Sequence, residues 1–479
     1  MIRFNKEELR DKVYACWIGK NIGGTLGGPF EWSTGINNCT GFTSKPGAPL
    51  PNDDLDLQLV WLKAMEELGP RAVDAKALGE YWIEYITPFW NEYGISKANM
   101  KSGLVPPLSG QYRNPWKNSN GAWIRTEIWA SLFPGDVEKA VYYACEDACV
   151  DHGSAEGTYA AIFVAAIESA AFVFNDLRGM IEMGLSKIPE QSKVYKYVTT
   201  VLECFDNGKT WQETRNLLVD MSLADEELGW FQAPANIGYT IIGLLYGKND
   251  FKETLLIACN CGDDTDCSCA TAGSILGIMN GSSIIPDDWK EYIGDSIVTT
   301  SINTGATSVP ATCTELTDRV MALQTITLYK SPVAVSNEET VVTDVDLAGY
   351  SGRDFATALA SKGEYYATYK SILATATVGY EHAPEIEPEG SIKINISLKP
   401  NFPSQKAFAI KWYLPEGFSV KGRSTVSPIW KPASWLNFRA DAEYTITAPE
   451  KVETKNTLIA VVSCDGHFDT LAIPVVLFG

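Results

Sequence analysis

Two short acidic runs hold the residues best suited to metal chemistry. Pro51-Asn52-Asp53-Asp54-Leu55-Asp56 opens one apolar-periodic stretch. Cys261-Gly262-Asp263-Asp264-Thr265-Asp266-Cys267 precedes a small-residue run over 270–280. Carboxylates are hard oxygen donors suited to Mg²⁺ or Mn²⁺. Two such pairs brought together would hold two ions, and a pair of ions activates water and clamps substrate oxygens. The same residue types also make good helix N-caps and complement the helix dipole. From the residues alone, both readings stand.

Other metal chemistries fit less well. An EF-hand loop starting at Asp264 would place Cys269 and Ile275 where that loop needs Gly and Glu. Cys259, Cys261, Cys267 and Cys269 are spaced more tightly than the usual zinc pattern, and buried small thiols are the plain alternative. Gly273, Gly277 and Gly281 recur every fourth residue, as on a helix face packed closely against another backbone.

The elements that position these runs change character along the chain. Before residue 329, apolar residues recur at three and four (Leu55, Leu59, Leu62, Met65), and alanine-rich runs favour helix. After Ser331-Pro332 the pattern alternates and is β-branched, as in residues 391–398, 444–447, 457–462 and 471–476. The expectation is an all-α domain over 1–328 and a β-sandwich of immunoglobulin-like type over 329–479.

Composition narrows the function classes. The chain has 479 residues, 45% apolar and 20% charged, which suits a folded multidomain protein rather than a disordered one. Its net charge of −20 argues against a nucleic-acid surface and against docking on an anionic membrane. Eleven cysteines, an odd number, and no apolar signal core at the start suggest a reducing, cytoplasmic setting. The longest apolar run, 158–174, contains Glu168 and is short for a bilayer, so it reads as a buried helix.

Five stretches in order resemble the ADP-ribosylglycohydrolases, all-helical hydrolases that include the dinitrogenase-reductase-activating glycohydrolase. Residues 19–31, from Gly19-Lys20-Asn21-Ile22-Gly23-Gly24 to Pro29-Phe30-Glu31, resemble the opening G-x-x-x-G-D-A-L-G-x-x-x-E. Asn52-Asp53-Asp54 resembles T-D-D-T, and Ser119-Asn120-Gly121-Ala122-Trp123-Ile124-Arg125 resembles G-N-G-A-x-M-R. Asp151-His152 resembles T-H before an alanine-rich helix. Gly262-Asp263-Asp264-Thr265-Asp266-Cys267 with Ala272-Gly273 resembles G-G-D-T-D-T followed by A-G. The similarity covers residues 13 to about 290 and leaves out the β-rich part.

The resemblance implies a site with two Mg²⁺ or Mn²⁺ ions that hydrolyses a glycosidic bond to ADP-ribose. Carried over by motif, Asn52, Asp53, Asp54, Asp264, Asp266 and Cys267 are the metal positions. Glu31 is a candidate ligand and base for the attacking water, and Asp53 and Asp54 share the catalytic assignment. Asn120, Gly121 and His152 are the substrate-contacting positions. The implied partner is a small molecule or an ADP-ribosylated substrate. Four positions depart from the family pattern: Gly24 for Asp, Asn52 and Cys267 for Thr, and Leu55 for Thr. They leave open a catalytically impaired relative that only binds its ligand. A third reading gives the β-region a carbohydrate-binding or docking role, with Trp412, Trp430 and Trp435 as stacking rings or as core. Trp82, Trp123 and Trp129 carry the same choice between stacking an adenine and core packing.

Overall fold

Asn5 starts the first helix, Lys6–Gly27, by accepting hydrogen bonds from the Glu7 and Glu8 amides. Its glycines Gly19, Gly23 and Gly27 are four apart, so they share one face. That face lies directly on the backbone of the Thr265–Asn280 helix. A Cβ at Gly19 would sit 2.3 Å from the Gly273 carbonyl oxygen, and one at Gly27 would sit 2.2 Å from that of Thr265. Gly273 and Gly277 return the approach from the other side. Gly281 does something else: at φ +73° it ends the helix instead of extending its face. This close contact fixes the second acidic run against the end of the first helix. Thr265 Oγ1 seals the join by donating to the Gly27 carbonyl at 2.8 Å.

The computed structural model describes every residue except 226–229, 304, 306–307, 403–406 and 428–438. By compactness the chain forms two units. The helical unit comprises Met1–Glu92, Pro115–Ala148 and Ala155–Leu359. It carries a small sheet in which β1 (Ile2–Asn5) pairs parallel with β2 (Val333–Ser336) and antiparallel with β3 (Val341–Val342). The change of residue pattern at 328/329 falls just past the helix Cys313–Thr327, while the compact units divide elsewhere.

The second unit joins Tyr93–Asn114 and Cys149–Ser154 to Ala360–Gly479. Its strands are β4 (Tyr366–Lys370), β5 (Ala374–Tyr380), β6 (Ser391–Pro400), β7 (Phe408–Tyr413) and β8 (Ser419–Gly422). They continue with β9 (Thr425–Val426), β10 (Ala440–Thr447), β11 (Lys455–Cys464) and β12 (Leu471–Phe478). One sheet runs β4-β5-β6-β10-β8 and the other β12-β11-β7-β9. All their pairings are antiparallel. Ile392, Ile394, Ile396 and Leu398 of β6 point inward together, with Ala460 and Val462 of β11 and Ile473 of β12 in the same core. Pro474 sits in β12, an edge strand, where a missing donor costs least. The arrangement is compatible with the expected immunoglobulin-like sandwich. Trp412 packs edge-on against Tyr444 at 5.2 Å, a core role. Trp430 and Trp435 lie outside the described residues. Among the described residues, no helix is long and apolar enough to cross a membrane.

Candidate metal centre

The two acidic helix starts are built differently. Asn52 caps the helix Asp53–Leu68: its Oδ1 accepts from the Asp54 amide at 2.8 Å. Capping accounts for Asn52 but not for Asp54, whose side chain is fully buried. A dipole-complementing carboxylate has no reason to leave solvent. A Cβ at Gly24 would lie 1.9 Å from Asn52 Nδ2, so the asparagine fills the space a side chain at 24 would need. Two of the departures from the motif are therefore one packing solution.

At the second start, Gly262 (φ +80°) and Asp263 (φ +68°) are both left-handed. The turn is pinned by the Asp263 amide, which donates to the Ser33 carbonyl at 2.6 Å, and by the Trp32 amide, which donates back to Asp263. The Asp263 carboxylate is spent locally, accepting from the Phe231 amide and Asn236 Nδ2. Asp264 precedes the Thr265–Asn280 helix but makes no capping bond. Its Oδ2 instead accepts from Asn120 Nδ2 at 2.7 Å, and Asn120 Oδ1 accepts from Trp123 Nε1 at 2.9 Å. Asn120 thus stands behind Asp264 and aims it.

These elements bring two donor groups together. Ligand atoms of Glu31, Asp264 and Asp266 lie within 4.8 Å of one another, and so do those of Asp54, Asp266 and Cys267. Asp266 belongs to both. Asp54 Oδ2 and Asp266 Oδ1 are buried and accept no hydrogen bond. Asp53 lies at the edge, close enough for its charge to act on Glu31 and Asp54.

The electrostatics follow from crowding. Burial, then the charges of Asp266, Asp53 and Asp263, push the Glu31 carboxyl up to about 8, partly offset by a hydrogen bond from the Trp32 side chain. Burial, then Asp266 and Glu31, hold Asp264 well above the carboxylate range. Asp54 is raised chiefly by burial, against the pull of Lys20. Burial and the same carboxylates keep the Cys267 thiol protonated. Such a cluster has more carboxylates than countercharge, and hard oxygen donors with orphaned lone pairs suit a divalent cation.

One cation is built in. Lys20 is fully buried, its Nζ 2.7 Å from Glu127 Oε1 and 3.7 Å from Asp54 Oδ2. Burial alone would lower its pKa, but Glu127 and Asp54 outweigh it and keep the ammonium charged. Gln58 completes the floor, donating to Glu127 Oε2 and to the Asp54 carbonyl while accepting from the Ile128 amide. Arg125, also fully buried, donates to Asp147 at 2.9 Å and to the Gly121 carbonyl, which fixes the Asn120-Gly121 loop. Trp82, Trp123 and Trp129 are wholly buried and serve as core. Trp32, which follows Glu31, is exposed (57%) and meets Trp230 (39%) edge-to-face at 5.1 Å.

Of the residues expected from sequence, Glu31, Asp54, Asp264, Asp266 and Cys267 come together, with Asn52 and Asp53 at the same helix start and Asn120 behind. His152 belongs to the other compact unit, fully buried with Nδ1 2.9 Å from Asp151 Oδ1. Among the described residues, Cys267 groups with Asp54 and Asp266, not with the other three cysteines of the zinc alternative. Sequence reasoning missed Lys20, Gln58, Glu127 and Trp32. Lys20 alone carried a signal, a lysine between Ile18-Gly19 and Ile22-Gly23.

Comparison with known proteins then supplies a family. Residues 5–325 match the sequence profile described as ADP-ribosylglycohydrolase. The ADP-ribosylarginine hydrolase Tri1 of Pseudomonas putida (strain GB-1) is 37% identical over 49 residues, 10% of this chain and 13% of that protein. A solved chain titled "ADP-ribosylglycohydrolase-related protein complex" overlaps 68% of this chain and 99% of its own, with TM-score 0.44 and 18% identity.

Proposed function

This chain belongs to the ADP-ribosylglycohydrolase family, and from that premise we propose that it is a metal-dependent hydrolase. Its substrate is an ADP-ribosylated or related ribosyl compound, cleaved at the glycosidic bond, with two Mg²⁺ or Mn²⁺ ions in the acidic cluster. The observation that carries this reading is the pair of three-donor groups sharing Asp266, with buried carboxylate oxygens left unpaired. The similarity of one short segment to an ADP-ribosylarginine hydrolase supports the substrate class.

Glu31, Asp53, Asp54, Asp264 and Asp266 would hold the ions, which supply charge to activate water and to bind ribose hydroxyls. Glu31, at the solvent side of the cluster, is the base that takes the proton of the attacking water at a carboxylate oxygen. Asn120 orients Asp264 through its amide, and Lys20 with Glu127 and Gln58 orients Asp54 from below. Gly121 is the remaining substrate-contacting position in this proposal. Residues 1–328 are the catalytic part and 329–479 an accessory β-region.

The test is calorimetric counting of Mn²⁺ on the full chain, together with turnover of ADP-ribosyl and ribosyl substrates. Asp53→Ala and Asp264→Ala are expected to abolish turnover in folded protein. Unchanged turnover in both rejects the site. Ion and ligand binding without turnover across metals supports the impaired-relative reading instead.

A further inference from the structure

The two donor groups are not chemically equal. Glu31, Asp264 and Asp266 offer only oxygen, whereas Asp54, Asp266 and Cys267 include a sulfur. Cys267 Sγ lies 3.5 Å from Asp54 Oδ1. The sulfur group also has Lys20 Nζ 3.7 Å from Asp54 Oδ2, so part of the Asp54 charge is already answered. An oxygen-loving ion is held there by less net negative charge than in the all-oxygen group. A thiolate restores the missing charge and changes the preference, since sulfur favours softer ions than Mg²⁺. The fully buried Asp54 retains an oxygen, Oδ2, with no hydrogen bond, and Asp266 Oδ1 is likewise unpaired. The donors are therefore present beside the sulfur.

We infer that the centre is heterogeneous: the Glu31–Asp264–Asp266 half takes Mg²⁺, and the Asp54–Asp266–Cys267 half takes a thiophilic or borderline divalent ion through the Cys267 sulfur. This rests on the metal-hydrolase reading and specifies which ion each half prefers. Binding at the second half breaks the Cys267 S–H bond, forms a sulfur–metal bond and releases the proton to the buffer. No electron is transferred.

The experiment uses the full chain, freed of metal under reducing conditions and titrated with Co²⁺. A thiolate-to-cobalt charge-transfer band in the near ultraviolet is expected to saturate at one ion per chain and to survive excess Mg²⁺. In Cys267→Ser the band is expected to vanish, and Co²⁺ affinity at that half to fall about tenfold or more. Mg²⁺ affinity at the other half, which shares Asp266, is expected to fall by less than the Co²⁺ affinity does. Calorimetry in buffers of different ionisation enthalpy should show one fewer proton released by the variant. Cys267→Thr, with its hydroxyl oxygen, is the second variant and should lose the band in the same way. A folded wild type that binds Mg²⁺ but gives no cobalt–sulfur band overturns the inference and leaves the hydrolase reading intact. A band that persists in Cys267→Ser also overturns it, because the sulfur is then another cysteine. Failure to bind either ion overturns both.

Discussion

Among the described residues, three helices begin at or directly after adjacent aspartates, and they are not alike. Asp287-Asp288 opens the helix Asp287–Ile293 on the surface, where Lys290 and Lys252 answer the two charges at 2.9 and 2.6 Å. Those aspartates do what acidic residues at helix starts ordinarily do. Asp53-Asp54 and Asp263-Asp264 share the local pattern but lead into a buried, overfilled cluster. There Asp54 and Asp266 keep unpaired oxygens, and the built-in cation is Lys20. The lesson is that the Asp-Asp pair is not the site. Burial with too little countercharge sets the two inner pairs apart, and close helix packing through Gly19, Gly23 and Gly27 creates the burial.

The contrast can be broken most severely at Asp264. Asp264→Asn should lower turnover by about 100-fold or more. The metal-free variant should unfold no earlier than wild type, since one crowded carboxylate is gone. Kinetics and thermal melts in chelator check both halves of that statement. Asp288→Asn, at the exposed surface pair, should leave turnover unchanged and melting nearly so.

Lys20→Met should act on stability instead. It strands Glu127 and Asp54 in the interior, and losing one partner of a buried pair costs about 3–5 kcal/mol. Denaturant unfolding measures this, and Lys252→Met, at the surface pair, is its control. Asn120→Ala leaves the donors in place but removes the group that aims Asp264, so metal affinity should fall about 10- to 100-fold. Calorimetry with Mn²⁺ checks it.

The pH response gives a smaller effect with a definite sign. Without metal, burial holds Glu31 near 8, Asp56 near 7 and Asp263 near 6, and Asp54 and Asp264 well above their ordinary values. Over this range the folded chain binds more protons than the unfolded one, so its stability falls as pH rises. Melting of metal-free protein should therefore drop between about pH 5 and pH 8, and the stabilisation by Mg²⁺ should grow over the same interval. The smallest effect belongs to the surface pair. Asp287→Asn and Asp288→Asn together should leave metal uptake unchanged and melting nearly so.

Much of the helical part was legible because its signals are local. Apolar spacing marked the helices, and alternation in residues such as Ile392, Ile394 and Ile396 marked β6. The acidic runs were legible as chemistry but not as geometry. Nothing local says that Asn52 caps its helix while Asp264 does not. That depends on Gly24 leaving room for one and Asn120 reaching the other. Lys20, Gln58 and Glu127 escaped because they come from three separate elements and matter only where those meet. Strand β1 was also hidden: four residues are too few for a pattern, and its partners lie more than 300 residues away.

One cation site formed by the two buried helix starts makes a direct demand on metal uptake. Titrating metal-free chain with Mn²⁺, beside Asp264→Ala, tests it most directly. The wild type is expected to take up two ions and the variant to lose that uptake. A folded wild type that takes up no Mn²⁺ at millimolar concentration, or a variant that takes up as much, would contradict it.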